Sequence, residues 1–203
     1  MIQIQWLGHS CMKIMWDEYT VVIDPFADGY VPGLRNIREK ADLVLCSHGH
    51  GDHNAAELVQ IQKGKQAPFE LLKISTCHDD KNGTLRGMNT VFLLQGSGFK
   101  LVHMGDIGCP LTKEQVDLLK GADVVMTPVG GFYTAEPDVI KGMMDEMKAK
   151  VVIPMHYRSE TFGFDVLKPV SVYAGLCGNV VRYSEDTLEI TKEMKPQTAI
   201  LTY

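Results

Sequence analysis

The chain has 203 residues, 45% of them hydrophobic and 22% charged, with 20 Lys and Arg against 25 Asp and Glu for a net charge of −5. That is one globular domain, 1–203, long enough to bury a sizeable core, and it excludes a disordered tail, a collagen-like repeat and a coiled coil. No basic stripe invites nucleic acid, no apolar run approaches the ~20 residues of a membrane span, and the opening MIQIQWLGHS lacks the basic and apolar regions of a signal peptide, so a cytoplasmic protein is expected.

Met1–Leu7 alternates apolar and polar residues (Ile2, Ile4, Trp6), as does Cys11–Trp16. With Thr20–Asp24, closed by Pro25, these predict an antiparallel meander. Gly29, Pro32 and Gly33 make 25–40 a loop. Asp42–Ser47 reads as a continuous apolar strand buried on both faces. Asn54 is placed to cap a helix over AAELVQIQKG that stops at Gly64. Leu71–Thr76 is a further strand, and Asn89–Gln95 and Phe99–Met104 flank a Gly-Ser-Gly turn as a hairpin. Thr112–Lys120 is predicted helical with Thr112 as its cap. Ala122–Thr127 and Lys150–Pro154 are buried strands, and between them Pro137–Ala149 is a helix with Pro in its first turn. Val180–Tyr183, Thr187–Thr191 and Thr198–Thr202 are the last strands. Strand-rich segments followed by strand–loop–helix units predict a mixed α/β layer architecture. The two halves show a loosely similar order of elements. Met143, Met144 and Met147 read as core filling at helical spacing. Five cysteines, an odd number with no C-x-x-C pair, read as reduced thiols, with Cys46, Cys77 and Cys109 near the motifs below.

The chemistry lies in the histidines. Three of the seven fall in His48-Gly49-His50-Gly51-Asp52-His53, just after a predicted strand. Imidazole and carboxylate are the ligands of Zn²⁺ and its first-row neighbours. His48 and His50, two apart in extended chain, can point the same way. Asp52 and His53 follow a turn that Gly49 and Gly51 permit. His78, Asp106 and His156 each stand just beyond another strand, so the chain offers donors enough for two metals.

This order of motifs resembles the metallo-β-lactamase superfamily. Within it the chain looks like the small bacterial metal-dependent hydrolases related to ascorbate-6-phosphate lactonase. The resemblance runs from Gly8 to about Tyr157, carried also by Gly8-His9-Ser10, Ile23-Asp24-Pro25-Phe26, Asn89-Thr90, His103-Met104-Gly105-Asp106, Pro128-Val129-Gly130-Gly131 and Pro154-Met155-His156-Tyr157. It implies a four-layer αββα sandwich with the site at the edge between the two sheets. It implies that His48, His50 and His78 hold one metal, that Asp52, His53 and His156 hold a second, and that Asp106 bridges both. His78 has acidic neighbours in CHDD where the family more usually has small residues, which keeps His103 as a rival ligand. An alternating strand would put residues 103 and 106 on opposite faces.

The activity so implied is metal-dependent hydrolysis of a small ester, lactone or phosphodiester by a metal-bridging hydroxide, with two divalent ions, Zn²⁺ first and Mn²⁺ as the alternative. Asp52 would bind metal and orient the attacking oxygen. His9 is either a hydrogen-bonded neighbour of the site or a substrate contact or proton donor. Asp24 is a candidate orienter of a ligand His. Tyr157 and the loop Gly130-Gly131-Phe132-Tyr133 would shape the pocket, with specificity set by loops 26–37, 79–88 and 130–135. The alternative is a mononuclear-iron redox or persulfide-handling enzyme of the same fold. The expected partner is a small-molecule substrate, without nucleic acid or membrane, and a homo-oligomer is the common default for such enzymes.

Overall fold

The first 23 residues fold as their alternation dictates, into β1 (Ile2–Gly8), β2 (Cys11–Trp16) and β3 (Tyr19–Ile23), paired antiparallel in sequence. Ile2, Ile4 and Trp6 point into the core, and the intervening Gln3 and Gln5 are half-buried. The computed structural model describes all of residues 1–203. The remaining strands are β4 (Glu39–Ala41), β5 (Leu43–Leu45), β6 (Val59–Ile61), β7 (Glu70–Cys77), β8 (Met88–Gly96), β9 (Phe99–His103), β10 (Val124–Pro128), β11 (Val151–Met155), β12 (Val180–Arg182), β13 (Thr187–Ile190) and β14 (Gln197–Ile200). The helices are α1 (Lys113–Leu119), α2 (Pro137–Met147) and α3 (Val170–Ala174).

Two sheets face each other. One has the order β13-β1-β2-β3-β5, the other β12-β14-β11-β10-β9-β8-β7, and β4-β6 is a separate short pair. The main core of 39 buried residues joins Trp6, Ile14 and Ile23 of the first sheet to Phe92, Leu101, Met126 and Ile153 of the second. It extends under α2 through Ile140, Met143, Met144 and Met147, so the methionines fill core as expected. Each such side chain, once fully buried, contributes roughly 1.5–3 kcal/mol. The other face of the first sheet buries Cys11 and Val22 against Phe26, Val31, Ile37 and Val59. On that side the outer layer of the αββα sandwich is therefore loop and short strand.

That layer corrects one expectation. Instead of a helix over 55–64 there is one 3-10 turn, Ala56–Leu58, without a side-chain cap, and the chain then runs straight into β6. Only Ala55 and Val59 are buried, too few to make an apolar helical face, and pairing with β4 satisfies the backbone instead. The strand expected over Asp42–Ser47 is also shorter. It forms only at Leu43–Leu45, at the sheet edge, with Leu45 alone buried. The other expected elements fall within a few residues of their bounds, while β4 and α3 form where no element was expected. In the hairpin turn Ser97 (φ 46) and Gly98 (φ 76) are both left-handed, the conformation that matches strand twist. Thr112 and Gln115 close a reciprocal capping box on α1.

Candidate metal centre

Strand direction gathers the site. β1, β3 and β5 run the same way in the first sheet, as do β7, β9, β10 and β11 in the second. At the carboxyl ends of these strands stand His9, Asp24, the 47–53 loop, His78, Asp106 and His156. His9 (φ 50), Asp24 (φ 52) and His156 (φ 53) are non-glycine residues in the left-handed region. Each such residue costs of order 1–2 kcal/mol, strain of the kind held at functional sites. The sheets are also stitched together here, where the His156 N–H donates to His9 O (3.1 Å) and the Thr90 N–H to Ser47 O (2.9 Å).

The centre of the cluster is Asp106. His53 Nε2 and His156 Nε2 each lie 3.1 Å from its Oδ2, His78 Nε2 lies 3.6 Å away and His48 Nε2 4.0 Å. His48, His50 and His78 bring donor atoms within 4.8 Å of one another, as do His9, Asp52, His53 and His156, and as do His48, His53 and Asp106. His48 Nε2, His53 Nε2, His156 Nε2 and Asp106 Oδ1 are buried and lack any hydrogen-bond partner. Buried polar atoms left bare are costly, and so many converging on one carboxylate fit a cation between them.

Asp24 sets how those nitrogens face. Its Oδ1 accepts from the Ser47 N–H (2.6 Å), and its Oδ2 from the Ser47 hydroxyl (2.7 Å) and His53 Nδ1–H (2.9 Å). Ser47 Oγ in turn accepts from His48 Nδ1–H (2.9 Å). With both Nδ1 atoms so engaged, His53 and His48 turn Nε2 toward Asp106, where the neutral imidazole presents a lone pair. Asn89 fixes the carboxylate's own backbone, as the Asp106 N–H donates to Asn89 Oδ1 (2.9 Å).

Burial lowers His48 to about 3 and His9 to about 4, with neighbouring imidazoles adding to the effect. Burial would also lower His53, but Asp106 and Asp24 on either side raise it well above its usual value. Burial opposes ionisation of Asp106, yet His156 and His53 hold it well below the usual carboxylate range. Asp52 is lowered too, its burial outweighed by His9 and His53. The cluster thus presents ionised carboxylates, and the shifts of His9, His48 and His78 favour the neutral, ligating form.

All seven residues expected to hold metal come together. His78 lies in the cluster, with its Nε2 3.2 Å from His50 Nδ1, whereas the hydrogen bonds of His103 run to the backbone. His103 Nε2–H donates to Ser10 O (2.9 Å) and its Nδ1 accepts from the Gly105 N–H (3.1 Å), so neither nitrogen is free. His9 packs against the cluster, with Nε2 3.2 Å from Asp52 Oδ2 and the side chain wholly buried. A cleft of about 400 Å³ opens over His50, Asp52, His78 and Asp106, walled by Tyr30, Tyr133, Phe164 and Arg86. Three of these wall residues come from the loops expected to set specificity. Tyr157 does not line the cleft, because its ring is buried against Trp6 at 5.2 Å between centroids. Phe164 and Ser47 went unread in the sequence. A single aromatic in a loop and a serine before a histidine carry no spacing signal.

A family model described as the Beta-lactamase superfamily domain matches residues 3–156. A relative from Hyperthermus butylicus named UPF0173 metal-dependent hydrolase is 28% identical over 195 residues, covering 77% of this chain and 83% of its own. One of the same name from Thermoplasma acidophilum is 27% identical over 216 residues, covering 90% and 93%. The crystal structure of a protein described as a Zn-dependent hydrolase of the metallo-β-lactamase superfamily, from Thermotoga maritima, matches with a TM-score of 0.76 and 30% identity over 100% of both chains.

Proposed function

The chain belongs to the metallo-β-lactamase superfamily, and from that premise and its donor set we propose a hydrolase that carries two divalent cations, Zn²⁺ first and Mn²⁺ as the alternative. Its substrate is a small ester, lactone or phosphodiester. One observation carries the reading: four imidazole nitrogens stand within 4.0 Å of Asp106 Oδ2, most of them without a hydrogen bond. His48, His50 and His78 would hold one cation, Asp52, His53 and His156 the other, and Asp106 both. Such a pair, when bound, lowers the pKa of a shared water and stabilises charge developing on substrate oxygen.

The chain's own groups do the positioning. The Asp52 carboxylate lines the cleft, stays ionised, and is placed to orient the attacking water. His9 holds Asp52 Oδ2 from behind and does not line the cleft, so it acts through Asp52 as a positioning residue. The cleft volume suits a small molecule.

The test is the metal content of the protein purified without added metal or chelator, beside His48→Ala. About two Zn or Mn per chain, falling in the variant, with hydrolysis of a lactone, ester or phosphodiester by the wild type, is the expected result. One iron per chain would instead support the mononuclear redox reading. No metal after reconstitution would overturn both.

A further inference from the structure

We propose that Arg86 is the specificity residue of this cleft, and that it takes an anionic group, carboxylate or phosphate, borne on an apolar or aromatic body. The proposal rests on the proposed function for the bound cations and for where the scissile bond lies.

The first argument is the scaffold under Arg86. Asp79, buried at the end of β7, accepts four backbone N–H groups from its own loop. Oδ1 takes those of Lys81 (2.8 Å) and Gly83 (2.9 Å), and Oδ2 those of Leu85 (3.0 Å) and Arg86 (2.7 Å). The loop is closed back onto the ligand His78, whose N–H donates to Gly87 O (3.1 Å). One buried carboxylate thus fixes the Arg86 backbone relative to the metal-site residues.

The second argument is what the side chain lacks. The Arg86 guanidinium makes no ion pair and no side-chain hydrogen bond, although it lines the cleft. Arg38, by contrast, holds Asp28 through two nitrogens (2.8 and 2.5 Å). Arg86 lies over the Tyr133 ring at 5.5 Å. A cation held over a ring in this way keeps its N–H fork available, and that fork can grip carboxylate or phosphate in two bonds. The cleft's own carboxylates do not compete for it, because Asp52 and Asp106 belong to the ligand set. Two divalent cations outweigh those two carboxylates, so the loaded cleft is positive on a chain of net charge −5.

The third argument is the wall. Phe164 meets Tyr30 at 6.3 Å and Tyr133 at 6.2 Å between centroids, both edge to face. This surface suits the apolar body of a ligand whose charged end lies on Arg86.

The experiment compares the metal-loaded wild type, Arg86→Ala and Arg86→Lys by calorimetric titration with benzoate, phenyl phosphate and benzyl alcohol. Arg86→Ala is expected to weaken one or both anions at least tenfold, about 1.4 kcal/mol, and to leave benzyl alcohol unchanged, while Lys restores part of the loss. Loss for phenyl phosphate alone identifies a phosphate, and loss for benzoate alone a carboxylate. Equal anion binding with and without Arg86, no anion binding by the wild type, or a parallel loss of benzyl alcohol overturns the proposal. In turnover, Arg86→Ala should raise KM for mono-4-nitrophenyl glutarate and spare 4-nitrophenyl pentanoate. If the loaded wild type cleaves neither ester nor the panel above, the hydrolase reading fails while the titrations still decide Arg86.

Discussion

Asp24 fixes two imidazoles at once, one directly and one through Ser47. An Asn there keeps the acceptor for the Ser47 N–H but places an NH₂ where His53 Nδ1–H and the Ser47 hydroxyl now donate. His53 would then rotate or shift its proton to Nε2, the nitrogen that faces Asp106. Asp24→Asn is expected to weaken metal binding by 10–100-fold, the usual effect of losing an orienting partner. Competition with a chromophoric chelator measures it. Unchanged affinity in a folded variant would mean that Asp24 only closes β3. The sequence offered Asp24, in the segment Ile23-Asp24-Pro25-Phe26, as a candidate orienter of a ligand His. The tautomer chain through Ser47 was not legible, since it exists only once β3 and β5 lie side by side.

At the scale of elements, the site is a set of strand ends packed without slack, and glycine makes this possible at Gly105. Its φ is +55, and a Cβ there would stand 2.3 Å from Asn89 Oδ1 and 2.6 Å from Ser47 Cβ. Asn89 holds the Asp106 backbone and Ser47 holds His48, so both supports would move. Gly105→Ala should lower metal content and cost several degrees of Tm. Gly98→Ala is the control, with a similar φ of +76 and nothing within 4 Å of its Cβ, and it should keep its metal. Equal metal content in the two variants would contradict the packing argument. Legibility follows the same divide between local and tertiary causes. Alternation in β1 and β2, the Thr112 cap of α1 and the Pro that opens α2 are local, and all were readable. The 55–64 segment has helix-forming residues, but whether it turns or extends depends on β4, which lies 20 residues earlier in register. The candidate ligands were readable because they fall in one His-rich motif and at strand ends. Arg86 was not, because only the fold of the 79–87 loop brings it to the cleft.

For the whole molecule, the cluster sits between two sheets that the rest of the chain holds together, so emptying it should register in global stability and in its pH dependence. At a free metal concentration a hundred times Kd, binding adds about 2.7 kcal/mol, so a chelator should lower Tm by roughly 5–10 °C. In the stripped protein, His9 and His48 are neutral when folded, with values near 4 and 3, against 6.5 when unfolded. Between pH 6.5 and about 4 the unfolded chain therefore binds protons that the folded one does not. Stability falls as pH falls through that window, at up to about 1.4 kcal/mol per pH unit for each such group. His53 acts the other way, since its folded value is raised by Asp106 and Asp24. Its contribution is complete below pH 6.5 and is lost as pH rises toward that folded value. The stripped protein should thus be most stable near pH 6.5, with Tm declining on both sides. With His53 a ligand as proposed, metal uptake displaces its proton, so apparent affinity should drop about tenfold per unit of pH lowered below that value. Thermal melts of chelated protein from pH 5 to 9, with one metal titration at each pH, test both slopes. A Tm that rises from pH 6.5 down to 5 would show that His9 and His48 are not buried as neutral imidazoles, and a pH-independent affinity would show that His53 gives up no proton.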